Sequence, residues 1–579
     1  MTNKELLAAE RGTVRKDWAG KIRIALAYPN HYHVGMSNLG LHAIYHLLND
    51  HEYVVCERVF LPEDNSATHG GLRSMESQRP LVDFDIIAFS ISFENDYPNV
   101  LTLLTEAGIP RWSSERDTPH PLVIAGGVTA FLNPEPIAPF VDCFLVGEAE
   151  PILRVFLDVY IKHSKKEELL EALAEHVPGV YVPGLYDVVY NPDGTIAEFR
   201  PKSGGPAKVY RVAVEDLSAW DTSSIILTPH TTFRDTYLVE AGRGCPHGCR
   251  FCATGFVYRP PRFRPRDALR NCLEKGTIRS NRIGLMSALV SDVPYIEELC
   301  RKALDLGVQL SFSSLRADRL TPELLDILGR SGFKTVTIAP DAGSERMRHV
   351  INKGINDQDV LRAADLVVGA GIPNLKLYFM VGLPTETMFD VEAIVALCKQ
   401  VKHRFLKASR TKKRIGQITV SVNSFIPKPF TPFQWVPLED VKILKAKIKH
   451  VKEGLRRVAN VRVHADVPRW AYIQALLSRG DRRTAQLLAA AHENNGNWAK
   501  TLKASIINPD FYVYRERSLD EILPWDFIDH GINKAFLIEE YHKALREETS
   551  PPCDVGRCKA CGVCKESLIS KQDSLQPFS

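Results

Sequence analysis

From residue 21 to about residue 165, short apolar runs alternate with stretches of helical periodicity. Residues 21–28 (Lys-Ile-Arg-Ile-Ala-Leu-Ala-Tyr) predict a buried strand, and residues 39–48 predict a helix. Residues 53–60 and 85–90 read as further strands, and residues 97–106 as a helix. The run 122–125 is a strand that stops at Gly126-Gly127. The run 142–146 is another, followed by Gly147-Glu148 and a helix. Buried strands separated by helices predict a parallel, doubly wound α/β sheet. Such sheets take ligands beyond the carboxyl ends of their strands, where Gly126, Gly127 and Gly147 fall.

The pattern changes over 179–232, where short β-rich runs flank turns such as Asn191-Pro192-Asp193-Gly194. Strand–helix alternation restarts at 233 and continues to 440. Strands are expected at 237–240, 283–287, 309–313, 335–339, 375–381 and 418–423, with helices at 293–306, 322–330, 357–369 and 390–401. Six βα units at this spacing predict a partial parallel barrel, in which chemistry sits on the loops after the strands. Residues 441–548 read as helical, and 549–579 as a cysteine-bearing tail too short for a core of its own. The expected order is therefore an α/β domain (1–178), a β connector (179–232), a barrel (233–440), a helical region (441–548) and the tail.

Composition narrows the class. The 579 residues are 45% apolar and carry 73 Lys and Arg against 69 Asp and Glu. That is ordinary for a globular chain and excludes disordered or collagen-like classes. No stretch approaches the roughly 18 apolar residues of a membrane helix, and the first residues lack the apolar core of a secretory signal, so a cytoplasmic location is expected. Seven of the twelve cysteines sit in two clusters. Cys56, Cys143, Cys272, Cys300 and Cys398 are scattered. Clustering without an export signal points to metal ligation rather than disulfides. Charge is uneven: residues 399–457 hold sixteen Lys and Arg against three acids. Lys412-Lys413-Arg414 form a basic knot. Lys442, Lys445, Lys449, Lys452 and Arg456 recur at helical spacing, a stripe that suits RNA phosphates or a solvated face.

The strongest chemical signal is Gly242-Arg243-Gly244-Cys245-Pro246-His247-Gly248-Cys249-Arg250-Phe251-Cys252, directly after a strand. Three thiolates spaced C-x3-C-x2-C hold three irons of a [4Fe–4S] cluster and leave the fourth open. The competing reading is half a zinc site, for which His247 is the nearby fourth donor. A second set, Cys553, Cys558, Cys561 and Cys564, offers four thiolates spaced C-x4-C-x2-C-x2-C. It fits an auxiliary [4Fe–4S] cluster or a structural zinc, and its ferredoxin-like run favours iron–sulfur.

The C-x3-C-x-(aromatic)-C loop, with Phe251 as the aromatic, resembles that of the radical S-adenosylmethionine (SAM) superfamily. Residues 311–318, 337–346, 351–354, 380–386 and 424–435 resemble the branch with an N-terminal cobalamin-binding-type domain. The resemblance implies that Cys245, Cys249 and Cys252 ligate the cluster, and that its open iron binds the amino and carboxylate groups of SAM for reductive cleavage to a 5′-deoxyadenosyl radical. It implies Arg316 for the SAM carboxylate, Ser313 for the ribose, Asp341 for the amine or ribose, and Gly382 at the adenine. The family's Gly-Gly-Glu-like edge is here Leu285-Met286-Ser287-Ala288, which offers backbone carbonyls only. No Asp-x-His-x-x-Gly motif is present. If cobalamin binds, Ser90, Ser92, Gly126, Gly127 and Gly147 are its expected contacts. The expected activity is a radical SAM transferase, with cobalamin-dependent methylation of an unidentified small or macromolecular substrate, served by an electron donor such as flavodoxin or ferredoxin. Two alternatives stand beside it: methylthiotransferase-like modification of RNA or protein, and a non-catalytic, zinc-stapled nucleic-acid-binding protein.

Overall fold

Strand order in the first sheet follows from its continuous apolar runs. In the computed structural model, which describes all residues except 64–70, 313–314, 412–415 and 565–579 and the side chains of 409–411, β1 (Ile22–His31) is the second strand of a six-stranded sheet. It pairs in parallel with β2 (Val54–Leu61) on one side and β3 (Ile86–Ser90) on the other. Next come β4 (Leu122–Gly126) and β5 (Cys143–Leu145), and an antiparallel edge, β6 (Val180–Tyr181). Helices cover both faces, so Ile24 to Tyr28 are buried without alternation. The order 2-1-3-4-5 reverses direction between β1 and β3, which makes that edge the ligand crevice of the sheet. β6 begins the region read as a connector, but it completes this sheet through Phe144 and Leu145. Behind it, Tyr186–Tyr190 and Ile196–Pro201 form an antiparallel hairpin.

The second strand–helix series starts with β7 (Tyr237–Glu240), β8 (Arg282–Met286) and β9 (Gln309–Phe312), all parallel. It continues with β10 (Thr335–Asp341), β11 (Asn374–Val381), β12 (Ile418–Ser424) and β13 (Val461–Ala465), also parallel. A bridge between Leu315 and Ile338 joins the two groups. In β11 and β12, buried residues alternate with partly exposed ones. One face packs on the helices while the other curves around an open interior. Six strands were expected, and seven are present among the described residues. β13 lies in the region read as mostly helical. It is an edge strand with exposed Arg462 and His464, so it lacks the apolar run that marks a buried strand. The helix after β11 is also longer than expected, spanning Met388–Thr411. The C-terminal region packs back on the rest: Ile528–Asp529 pairs with Val209–Tyr210, and Arg482 reaches Glu135 of the first unit at 2.8 Å. Among the described residues, no helix is long and apolar enough to cross a membrane.

The α/β sheet and the barrel meet across buried charge. Glu148, just past β5, accepts from Arg243 and Arg262 of the barrel, each at 2.7 Å. It also accepts from the Val214 N–H at 2.7 Å. Arg243 additionally pairs with Glu150 and Glu240, both at 2.8 Å. Burial opposes ionisation of Glu148, but Arg243, Arg262 and the Val214 amide outweigh it and hold its carboxyl below the usual range. A carboxylate depressed in this way stabilises the fold at neutral pH, and that contribution is lost as pH falls through the lowered value. Glu148→Gln is expected to lower stability by about 3 kcal/mol at pH 7. In urea titrations at stepped pH, the gap to the parent protein should close as the pH drops below about 4.3. A gap that stays constant into acid would mean the carboxylate charge plays no part.

Candidate active site

After β7 the chain makes a short extended pair, Gly242–Arg243 against Arg262–Phe263, and enters the first cysteine loop. Gly244 has φ +80°, and a Cβ there would lie 2.6 Å from the Tyr258 carbonyl oxygen, so only glycine follows this path. Main-chain bonds then fix the loop. The Cys252 N–H donates to the Cys249 carbonyl at 3.0 Å, and the Arg250 N–H donates to the Ile351 carbonyl at 3.0 Å. The Gly248 carbonyl accepts from Asn352 Nδ2 at 3.1 Å. Arg250 is wholly buried and acts as an anchor, donating to Glu540 and to the carbonyls of His349 and Val350.

Cys249 is buried, and Cys245 and Cys252 are partly exposed. Burial, with a contribution from the neighbouring thiols, pushes the Cys245 thiol up to about 12 and the Cys249 thiol up to about 11. The three sulfurs thus share one electrostatic environment, and metal binding there releases protons. Lys353 and Arg316 act in the opposite sense on Cys249. Among the described residues, no three His, Cys, Asp or Glu are gathered around a single-ion position. His247, the fourth donor a zinc site would need, has its Nε2 2.7 Å from Asp292 Oδ2. Three thiolates on a fixed loop are a donor set that fits a cluster with one open iron.

Inside the barrel, a cavity of about 530 Å³ is lined by Phe251, Asp341, Tyr378, Met380, Asn423 and Lys428, among others. Asp341 closes β10 at φ +64°, an uncommon conformation for a side chain with a Cβ. Its carboxylate pairs with Lys353. Burial disfavours the Lys353 charge, but Asp341 and Cys249 together raise its pKa above the usual lysine value. Arg316 is buried. It donates from Nε to Asp318 at 2.8 Å, and from Nη2 to Asp318 at 3.3 Å and to the Gly354 carbonyl at 3.1 Å. Two cations and one carboxylate therefore stand beside Cys249. Lys353 had no assigned role in the sequence, because only the tertiary fold sets it against Asp341. Ser313 lies outside the described residues. Gly382 does not line this cavity. Its N–H donates to Glu386 at 2.7 Å, and its Cα faces Leu444 and Glu439, so the wall at that strand end is Tyr378 and Met380.

A second cavity, of about 540 Å³, opens at the reversal point of the first sheet. Ile24, Leu26 and Ala88 form its floor, and Ala43 and Leu47 of the Leu39–Asp50 helix and Phe156 of the Ala149–Tyr160 helix form its walls. Ser90, Ser92, Gly126, Gly127 and Gly147 all line it. The barrel closes it with Gly242, Arg243, Tyr258 and residues 286–288. Gly127 (φ +100°) and Gly147 (φ +130°) also serve packing: a Cβ at either would lie 2.3 Å from a carbonyl oxygen, of Ile91 and Val212 respectively. Among the described residues, no histidine lines it.

Cys553, Cys558, Cys561 and Cys564 lie together. Burial and the other three thiols push Cys553 up to about 11. Lys442, Lys445, Lys449, Lys452 and Arg456 are exposed along the Val441–Leu455 helix and its cap. Lys447 instead turns inward, to Glu386 at 2.9 Å and Glu439 at 3.0 Å. Residues 412–414, the basic knot, lie outside the described residues.

Comparison with known proteins gives matches across most of this architecture. Residues 40–183 match the family described as radical SAM proteins, N-terminal, and residues 239–398 match the radical SAM superfamily. An uncharacterised protein of Methanocaldococcus jannaschii is 32% identical over 468 residues, covering 80% of this chain and 90% of the relative. The bacteriochlorophyllide d C-12(1)-methyltransferase of Chlorobaculum tepidum is 29% identical over 144 residues, covering 24% of this chain and 31% of that protein. Among solved structures, the radical SAM methyltransferase TsrM from Kitasatospora setae, with cobalamin and a [4Fe–4S] cluster bound, aligns with TM-score 0.42 at 14% identity, covering 72% of this chain and 74% of that one. With the three-thiol loop at the head of a parallel barrel, these matches establish that the chain belongs to the radical SAM superfamily.

Proposed function

We propose that the protein is a cobalamin-dependent radical SAM methyltransferase acting on an unidentified organic substrate. Cys245, Cys249 and Cys252 hold the [4Fe–4S] cluster, SAM lies in the barrel cavity, and cobalamin lies in the cavity between sheet and barrel. The observation that carries the cobalamin part is the lining of that cavity. Its apolar slot between two helices suits a flat aromatic tail, and its glycine and serine rim lets a corrin edge approach main chain. Its barrel side is formed by Gly242, Arg243 and Tyr258, next to the cysteine loop. The partial likeness to a named methyltransferase supports the transfer of a methyl group.

When bound, the cluster and SAM supply a 5′-deoxyadenosyl radical, and cobalamin supplies a transferable methyl group. The chain's own residues bind and orient. Lys353 and Arg316 offer positive charge beside Cys249 for a carboxylate. Asp341, held by Lys353, offers an acceptor for an amine. Phe251 and Met380 wall the cavity and exclude water from the reacting atoms. Arg243 and Glu148 keep the two cavities in register across the seam.

Anaerobically reconstituted protein should cleave SAM to 5′-deoxyadenosine under a strong reductant, and Cys249→Ala should reduce this to background. Lys353→Met should raise the KM for SAM by about 10- to 100-fold, the loss of one charge-assisted contact, with iron content unchanged. Equal cleavage by Cys249→Ala would sink the reading. Ala43→Trp fills the slot and should weaken cobalamin binding at least tenfold in equilibrium dialysis while SAM cleavage persists. Because no imidazole lines the cavity among the described residues, ¹⁵N-histidine labelling should leave the EPR spectrum of bound cob(II)alamin unchanged. A nitrogen splitting change would place a histidine on cobalt.

A further inference from the structure

The second cysteine set is seated directly on the first. The Cys553 N–H donates to the carbonyl of Pro246, the residue after Cys245, at 2.7 Å. The Ser550 N–H donates to Asn352 Oδ1 at 2.8 Å, and the same side chain holds the Gly248 carbonyl at 3.1 Å. On the other side, the Asn533 N–H donates to the Cys561 carbonyl at 2.9 Å. Asn533 begins the Lys534–Leu545 helix, whose Glu540 anchors Arg250. Both cysteine loops are thus tied to the same two supports. Cys561 is buried, and the other three are partly exposed.

Between them lies Arg259. Its side chain is buried, with the guanidinium 4.8 Å from the Phe256 ring centre and 5.2 Å from that of Phe536. Its Nε donates to the Gly255 carbonyl at 2.7 Å. Among the described residues, it makes no ion pair with a carboxylate within 4.0 Å. The groups it acts on are the thiols of Cys553 and Cys564. A buried guanidinium without an anion is strongly unfavourable. Four neutral thiols do not supply that anion, whereas four thiolates on a metal centre do. Their spacing is ferredoxin-like.

We propose that Cys553, Cys558, Cys561 and Cys564 hold a second [4Fe–4S] cluster, with Arg259 as its buried counter-ion. The Cys553–Pro246 hydrogen bond joins it electronically to the Cys245 loop. A one-electron carrier of the ferredoxin or flavodoxin class reduces this cluster by one electron. That electron then passes to the cluster of the first loop and returns the tail cluster to its oxidised state, with no bond made or broken. The transfer step rests on the function proposed above; the second cluster and its counter-ion do not.

The test uses the full chain carrying Cys245→Ser, Cys249→Ser and Cys252→Ser together. Purified anaerobically, it should retain about four iron and four sulfide per chain and give an EPR signal on reduction. One zinc without sulfide, or no metal, overturns the proposal. In that background, Arg259→Gln should shift the cluster's midpoint potential to more negative values, because a positive charge beside it is lost. Arg259→Lys should largely restore it. An unchanged potential in Arg259→Gln overturns the counter-ion role, and Arg259→Met, which also removes the charge, gives the same comparison if Arg259→Gln does not fold. In the fully reduced parent protein, the two EPR signals should broaden each other. A spectrum equal to the sum of the single-cluster variants overturns the junction. Absence of the first cluster alone, with the tail cluster present, would count against the proposed function and leave the second cluster standing.

Discussion

The structure depends on a buried guanidinium at a seam. Arg243 stands two residues before the first cysteine and is held by three carboxylates, Glu148 and Glu150 from one unit and Glu240 from the other. Burial alone would lower its pKa, but the three carboxylates together raise it. Taking these charges out of water is costly unless all are present and aligned. The arrangement therefore specifies one relative placement of sheet and barrel. That placement turns two open edges, the reversal point of one sheet and the strand ends of the other, into one continuous wall around a cavity.

The same logic recurs along the cysteine loop. Nothing in the eleven residues 242–252, with three glycines and three cysteines, can hold itself rigid, so the loop borrows rigidity from distant parts of the chain. Arg250 reaches a C-terminal helix, Asn352 reaches the main chain of Gly248, and the tail contributes Cys553. Residues hundreds of positions apart thus converge on a stretch of under 12 residues. Precise placement of a reacting group by such outer contacts is worth more than the strength of any one of them. It also makes the C-terminal region part of the site rather than an appendage.

Glycines in this protein carry two loads at once. Gly127 and Gly147 line the interdomain cavity, and both also sit against a carbonyl oxygen where no Cβ fits. Their presence in the sequence is therefore explained without a ligand, and the lining of the cavity is an additional property of the same positions. Gly382 shows the reverse: its motif pointed to the ligand side, but its amide serves Glu386 and its Cα serves the packing of Leu444.

The buried strands, the helices between them and the two thiol sets were legible in the sequence. Apolar runs and cysteine spacing are local signals, set by short-range periodicity and by the stereochemistry of a few adjacent ligands. β13 was not legible, because an exposed edge strand has no apolar run to announce it. The roles of Lys353 and Arg259, the pairing of His247 with Asp292 and the docking of Cys553 on Pro246 were not legible either. Each is a long-range electrostatic or hydrogen-bonded contact, and its energy depends on burial and separation in space. Those quantities do not exist along the chain until the sheet and barrel have closed on one another.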